Sequence, residues 1–213
     1  MRSFLLIILI IAGIIAGGIY YLYKNISYQP EWFNTTEVRE FNERLADSGK
    51  MKSRIRQKLI NRGFAEISPE DLSVIVFDHL KEETSADVGK IIKAMHSFID
   101  EEHISIEMVV DISKIPRDKI PGNAEYLFEK IVSSTPDSVL QNLFVKIDGK
   151  PRISEGGISF GNELVMNIGK MKFHLKDEHE NENVRNDFKR YFSSKFFDVA
   201  DIKLEKDRMI LKK

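Results

Sequence analysis

The chain contains no cysteine. This absence excludes disulfide bonds, thiolate zinc sites and a cysteine nucleophile, and it fits either side of a membrane. The chain also lacks a strong net charge, because 32 basic residues nearly balance 33 acidic ones. A net charge of -1 supplies no electrostatic field that would attract nucleic acid. We therefore expect no nucleic-acid partner.

Recognisable catalytic motifs are missing as well. The segment GGISFG, Gly156–Gly161, lacks the setting of a phosphate-binding loop and is typical of a turn and a strand edge. His174 and His179 stand near acidic residues, but the stretch KDEHENEN indicates a solvated loop rather than a metal site. No serine stands in a nucleophile elbow. We expect no catalytic residue, no metal and no cofactor; an envelope hydrolase is the minor alternative, because the residues that such chemistry needs are not clustered.

One long apolar run stands at the N-terminus. Ser3 to Tyr23 carries no charge, and its length of about 21 residues gives a helix of about 31 Å, close to the hydrocarbon thickness of a bilayer. Its tyrosines cluster at the far end, where aromatic rings favour the headgroup zone. The pattern predicts a transmembrane signal anchor over residues 1–23 that contacts the bilayer through residues 3–23. A cleaved signal peptide is the alternative.

The flanking charges suggest how such an anchor is oriented. Arg2 precedes the run, whereas acidic and basic residues mix after Lys24, which favours a cytoplasmic N-terminus. Residues 24–40 contain Pro30 and several Asn and Thr residues and are predicted to be an irregular juxtamembrane linker. Trp32 could rest at the membrane interface or dock on the domain. Residues 41–213 are then one extracytoplasmic domain, periplasmic or at the cell surface.

Within that domain, helical patterns come first and strand patterns follow. A helical pattern from Phe41 to Arg62 has an expected break at Ser48-Gly49. Ser68, Pro69 and two acids form a helix start. Further predictions are helices over 68–82, 86–101, 124–134 and 184–197, a half-buried strand over 104–112, a strand–turn–strand unit around Asp148-Gly149, and a closing hairpin over 201–213.

The strand NELVMNIGKMKFHL, Asn162–Leu175, changes phase in the middle. Its apolar alternation slips by one residue, and a bulge at Gly169 or Lys170 would absorb the slip and bend the strand. The predicted fold class is therefore α+β, with a curved antiparallel sheet packed against helices. Its apolar face is a candidate binding surface for a lipid or another apolar ligand, or else an ordinary core. The residues on that face are Ile106, Met108, Val145, Ile147, Leu164, Met166, Ile168, Met171 and Phe173.

The order of segments EISPEDL, FVKIDGKPRISEGGISFGN, LVMNIGKMKFHL and DIKLEKDRMIL, between Ile67 and Leu211, resembles small membrane-anchored bacterial envelope proteins of the YpmS-like and LmeA-like kind. These are related to the tubular lipid-binding superfamily. The resemblance implies an apolar ligand or a role in envelope assembly, without enzyme chemistry. We therefore expect a non-enzymatic, membrane-anchored module that binds lipid or another apolar ligand. The alternative is an adaptor or assembly subunit that meets a protein partner in the cell envelope.

Overall fold

The computed structural model of the chain describes residues 25–83, 87–117, 129, 132–133, 135–154, 157–160, 164–175 and 200–213. These residues form an α+β fold in which antiparallel strands pack against helices, as predicted. Within these ranges no helix is both long and apolar enough to cross a bilayer. The predicted anchor, the helix over 184–197 and most of the helix over 124–134 lie outside the described residues.

The first described helices begin earlier than expected. Helix α1 spans Thr35–Ala46, and the side chain of Asn34 caps it by accepting from the backbone N–H groups of Thr36 and Glu37. The prediction of an irregular segment is therefore wrong from Thr35 onward. The break expected near residue 48 falls at Asp47, after which helix α2 spans Ser48–Arg62.

Helix α3 confirms the predicted start at Ser68. After strand β1, Phe64–Ile67, helix α3 spans Pro69–Glu83. The Ser68 hydroxyl accepts from the backbone N–H of Asp71 at 3.2 Å, and Glu70 and Asp71 lie in the first turn, where carboxylates favour the positive end of the helix. Proline at the first helical position loses no hydrogen bond.

The helix predicted over 86–101 is wrong. Of residues 87–101, only Val88–Ile91 is helical, as helix α4, and strand β2 follows at Ile92–Ile99. Strand β2 pairs antiparallel with strand β3, Ile104–Val110, and the register shifts between Ile92 and Ala94. That shift interrupts the alternation of inward and outward residues that marks a strand in the sequence. The apolar residues are left at a spacing that resembles the period of a helix. Pairing with β3 overrides the helical pattern.

Within the described residues, the main sheet has five antiparallel strands in the order β2-β3-β4-β7-β8. Its remaining strands are β4, Leu143–Gly149, β7, Leu164–Ile168, and β8, Met171–Leu175. A 3-10 helix, Ile112–Lys114, follows β3, and the short helix α5, Asp137–Leu140, precedes β4. The strands pair side by side, so alternate residues of each strand share one face.

The phase change after Ile168 is a turn and not a bulge. Strands β7 and β8 form a hairpin in which Ile168 pairs with Met171, so Gly169 and Lys170 are the two turn residues. Gly169 has a φ of 54°, which the first position of a tight hairpin turn requires and glycine supplies at little cost. The predicted bulge is therefore wrong. The two apolar sets still share a face, because they are cross-strand neighbours.

Two small sheets complete the described fold. Strands β5, Pro151–Ser154, and β6, Gly157–Phe160, pair with each other. The predicted turn at Asp148-Gly149 is therefore wrong, because both residues belong to β4 and β5 does not pair back onto it. The predicted closing hairpin is confirmed as β9, Asp201–Glu205, and β10, Arg208–Lys212. Strand β10 also pairs with β1.

Candidate functional site

The sequence-predicted binding residues lie together on one face of the main sheet, which we call the first face. The register places Ile106 opposite Ile147 and Met108 opposite Val145, and β7 continues the same rows with Met166 and Ile168. Seven of the nine predicted residues are buried, and Met171 is partly buried. Phe173 pairs through its backbone with Met166. The buried seven are Ile106, Met108, Val145, Ile147, Leu164, Met166 and Ile168.

Helix α3 covers the first face on the β2 side. The buried hydroxyl of Ser73, on α3, lies 2.9 Å from the hydroxyl of Ser97, on β2, and Ser97 pairs with Ile106 of the first face. Six residues of α3 belong to the same apolar cluster as the sheet residues: Leu72, Val74, Ile75, Val76, Phe77 and Leu80. In the described part of the fold, the first face is therefore packed as a core.

The opposite side of the main sheet, the second face, is polar but covered. Ser105 and Glu107 alternate outward from the first face, as predicted, yet both are buried. Trp32 covers this side of the sheet: its indole N–H donates to Oε2 of Glu107 at 2.5 Å, and its ring lies 5.3 Å from that of His96. Lys146 Nζ lies 3.3 Å from the other oxygen of Glu107. The strand predicted to be half-buried is therefore buried on both faces. Trp32 and Lys146 contact Glu107, and the hydroxyl of Ser105 donates to Asp148. The segment that carries Trp32 crosses this face.

That segment, residues 25–33, is named the crossing segment. It begins at the β7–β8 turn, where the carbonyl of Asn25 accepts from the backbone N–H of Lys170 at 2.8 Å. Tyr28 then meets the ring of Phe144 on β4 edge-on at 5.4 Å, and Trp32 reaches β3 and β2. Ile26 is buried in the core. Of the two placements weighed for Trp32, docking on the domain is confirmed.

An open cleft lies on the helical side of the fold. It has a volume of about 470 Å³ and lies between α1, α2 and the first turns of α3. Met51 and Val74, both buried, form its apolar floor. We call it the helical cleft. Its walls carry five carboxylates and two arginines: Glu40, Glu43, Asp47, Glu70, Asp71, Arg44 and Arg54.

The charges of the helical cleft are only partly paired with one another. Arg44 lies 3.5 Å from Glu40, and Arg54 lies 3.9 Å from Asp71. Partial burial opposes ionisation of Glu70, but hydrogen bonds from Ser68 and its own backbone, together with the charge of Arg44, lower the pKa of Glu70. Glu70 therefore stays ionised at neutral pH. Sequence reasoning missed the helical cleft, because three separate helices build it.

Groups that could hold a metal ion do not gather in the described residues. Among them, no set of three His, Asp or Glu side chains is placed to hold a metal ion, and this includes the carboxylates of the helical cleft. The ring of His96 lies between those of Trp32 and Phe98, with ring centroids 5.3 and 4.6 Å away.

No protein-family model, no curated protein and no solved structure matches the chain significantly. The resemblance to YpmS-like and LmeA-like envelope proteins therefore stays a prediction.

Proposed function

We propose that the chain is a membrane-anchored, non-enzymatic adaptor of the cell envelope, whose helical cleft binds a basic segment of a partner protein outside the cytoplasm. The observation that carries this proposal is a contrast between two surfaces. The first face is buried, with helix α3 covering its β2 side, whereas the helical cleft is open and lined by side chains that can pair with a cation.

The chemistry of the helical cleft selects the kind of partner. Five carboxylates and two arginines line it; Lys50 and Arg39, outside the lining, pair with Asp47 at 2.7 Å and with Glu43 at 3.8 Å. The lining and these two partners together keep a net charge of -1, which favours Lys or Arg side chains over acidic ones. The buried floor of Met51 and Val74 favours an apolar residue beside that basic side chain, and methionine adapts to different shapes. A short basic and apolar segment of a partner protein satisfies both requirements.

Photo-crosslinking in native membranes tests the adaptor function. A photoreactive residue replaces Glu43, an exposed residue of the cleft wall, and a control places it at Gln57, exposed on α2 and outside the cleft lining. We expect one dominant protein adduct from position 43 and none from position 57. The charge reversal Glu70→Lys should remove the adduct, and reversing a basic residue of the identified partner in the same cells should restore it. A spread of weak adducts at both positions would contradict the proposal.

A lipid or another apolar ligand on the first face is the second candidate. The observation that favours it lies at β8, where Met171 is only partly buried although it stands in the row of Ile168 and Val145. Native mass spectrometry of the full chain, purified in a lipid-free detergent, should show a bound mass that organic extraction removes and that Met171→Glu abolishes. A clean mass for the unsubstituted chain would speak against this ligand and leave the adaptor function standing.

A further inference from the structure

The main sheet has two chemically different ends. The first end, as we call it, holds the β7–β8 turn, the segment before β4, the 3-10 helix after β3, and α4 before β2. It carries Lys90, Lys93, Lys114 and Lys170 against Asp87, Asp111 and Asp137, and Lys90 pairs with Asp87 at 3.0 Å, so its net charge is +1. The second end holds the β2–β3 turn and the residues that follow β4. Its β2–β3 turn has the acidic sequence Asp100-Glu101-Glu102.

The crossing segment begins at the first end. The carbonyl of Asn25 accepts from Lys170 N–H at 2.8 Å, and a Cβ on Gly169 would stand only 2.0 Å from that carbonyl oxygen. Lys170 Nζ also lies 5.3 Å from the ring centre of Tyr28, within cation–π range. Asn25 is therefore fixed to the β7–β8 turn by close backbone contact, and the cation–π contact between Lys170 and Tyr28 adds to this.

The chain before Asn25 limits where the domain can lie. The apolar run proposed as the anchor ends at Tyr23, and only Lys24 separates it from Asn25. Two residues span at most about 7 Å when fully extended. If residues 3–23 cross the bilayer, the β7–β8 turn lies within that distance of the end of the span, at the depth of the headgroups.

We propose that the first end of the main sheet rests on the bilayer surface and contacts lipid headgroups, with the second end pointing away from the membrane. This inference rests on the anchor in the proposed function. The lysines of the first end complement anionic headgroups, and the acidic β2–β3 turn avoids them. Strand β3 has seven residues, so the second end lies roughly 23 Å farther out at about 3.3 Å per residue.

The absence of native cysteine allows a direct test with the full chain. Single cysteines at Gln141 or Lys114 mark the first end, and single cysteines at Lys150 or Glu101 mark the second; all four residues are exposed. Each is labelled with an NBD fluorophore in vesicles of phosphatidylcholine, with or without 30% phosphatidylglycerol, that contain a headgroup-nitroxide quencher. We expect quenching at the first end to exceed that at the second end at least twofold in both vesicle types.

A linker insertion controls for the tether without touching the folded contacts. Ten Gly/Ser residues between Lys24 and Asn25 give a flexible spacer of about 17 Å root-mean-square length. This spacer should reduce the twofold contrast strongly in phosphatidylcholine vesicles. Anionic lipid should preserve more of the contrast, because the lysines then hold the first end down.

Three results would overturn the inference: equal quenching at both ends, stronger quenching at the second end, or release of the chain from vesicles by alkaline carbonate. The partner test is separate from this one. Crosslinking at the helical cleft can succeed with a freely tumbling domain, and the orientation can hold without any partner.

Discussion

The indole of Trp32 donates a 2.5 Å hydrogen bond to Glu107, which lies 75 residues away in the sequence. Glu107 is only 8% exposed, and its other oxygen pairs with Lys146 at 3.3 Å. A buried carboxylate needs such partners, since leaving it unsatisfied costs more than the bonds contribute. This contact fixes the crossing segment to the second face of the sheet.

Trp32→Phe should lower the free energy of unfolding by about 1.5–3 kcal/mol, because it removes a hydrogen bond to a charged, buried acceptor. Urea denaturation followed by circular dichroism measures the loss. Glu107→Gln keeps an acceptor at this position and is the control, with a smaller loss expected. In the double variant the two losses should not add, as expected for contacting residues. Unchanged stability of Trp32→Phe would show that the contact contributes nothing.

Gly169→Ala should release the start of the crossing segment, and Gly63→Ala is its matched control. Both glycines have positive φ, 54° and 73°, so alanine costs about 1–2 kcal/mol at either site. Only at Gly169 would the new Cβ also clash, 2.0 Å from the Asn25 oxygen. We expect Gly169→Ala to lose at least about 1 kcal/mol more. Fluorescence of Trp32, the only tryptophan, should shift red in this variant alone; equal losses at both glycines would refute the clash.

Substitutions of Met166 and Met171 distinguish between two interpretations of the first face, a packed core and a ligand-binding surface. Met166 is 4% exposed in the core, whereas Met171 is only partly buried. Met166→Ala should lower the free energy of unfolding by about 2–5 kcal/mol through the cavity that it leaves, and Met171→Ala by less than half of that. Thermal or urea unfolding provides the comparison. A small loss at Met166 would mean that the first face is loosely filled, which favours the lipid candidate.

The turn between β2 and β3 should make stability depend on acid pH. The backbone N–H groups of Glu102 and His103 donate to Asp100 at 2.8 and 2.6 Å and lower the pKa of Asp100 below its ordinary 3.8. Ionised Asp100 therefore stabilises the fold above about pH 4, and this contribution is lost as the pH falls through the lower, folded-state pKa. Asp100→Ala should cost about 0.5–1 kcal/mol at pH 7. The cost should shrink by pH 3.

Urea denaturation at pH 7, 4 and 3 measures that difference, with Glu101→Ala as the neighbouring control. Glu101→Ala should change stability little at each pH, since surface substitutions away from special contacts have small effects. A cost of Asp100→Ala that is the same at pH 7 and pH 3 would contradict the assigned role of the carboxylate.

The sequence predicted those elements whose signals are local. Ser68 and Pro69 place the start of α3 because capping depends on adjacent residues. The alternation from Ile104 to Val110 identifies β3. Strand β2 was missed because the register shift near Ile92 hides its alternation. The β7–β8 turn was missed because a one-residue bulge and a two-residue turn produce similar phase changes in a sequence.

In the candidate sites, too, features with local sequence signals were predictable and features that depend on long-range packing were not. The shared face of Met108, Val145 and Ile168 was predictable from strand periodicity. The position of α3 over the β2 side of this face depends on how the helices pack on the sheet, which strand periodicity does not reveal. The crossing segment has no periodic pattern, and Trp32 gave only a choice between two placements. The helical cleft depends on the relative positions of three helices, which no local pattern encodes.

The pairing of β1 with β10 has a consequence for the order of folding. Phe64 pairs with Lys212, and β10 is the central strand of its small sheet, between β1 and β9. Because synthesis runs from the N-terminus, β1 is made long before β10. Until β10 is made, the backbone groups of β1 lack their partner strand. Such long-range pairing slows folding. Truncation before Arg208 would deprive both β1 and β9 of their partner at once, so this sheet can form only after β10 has been synthesised.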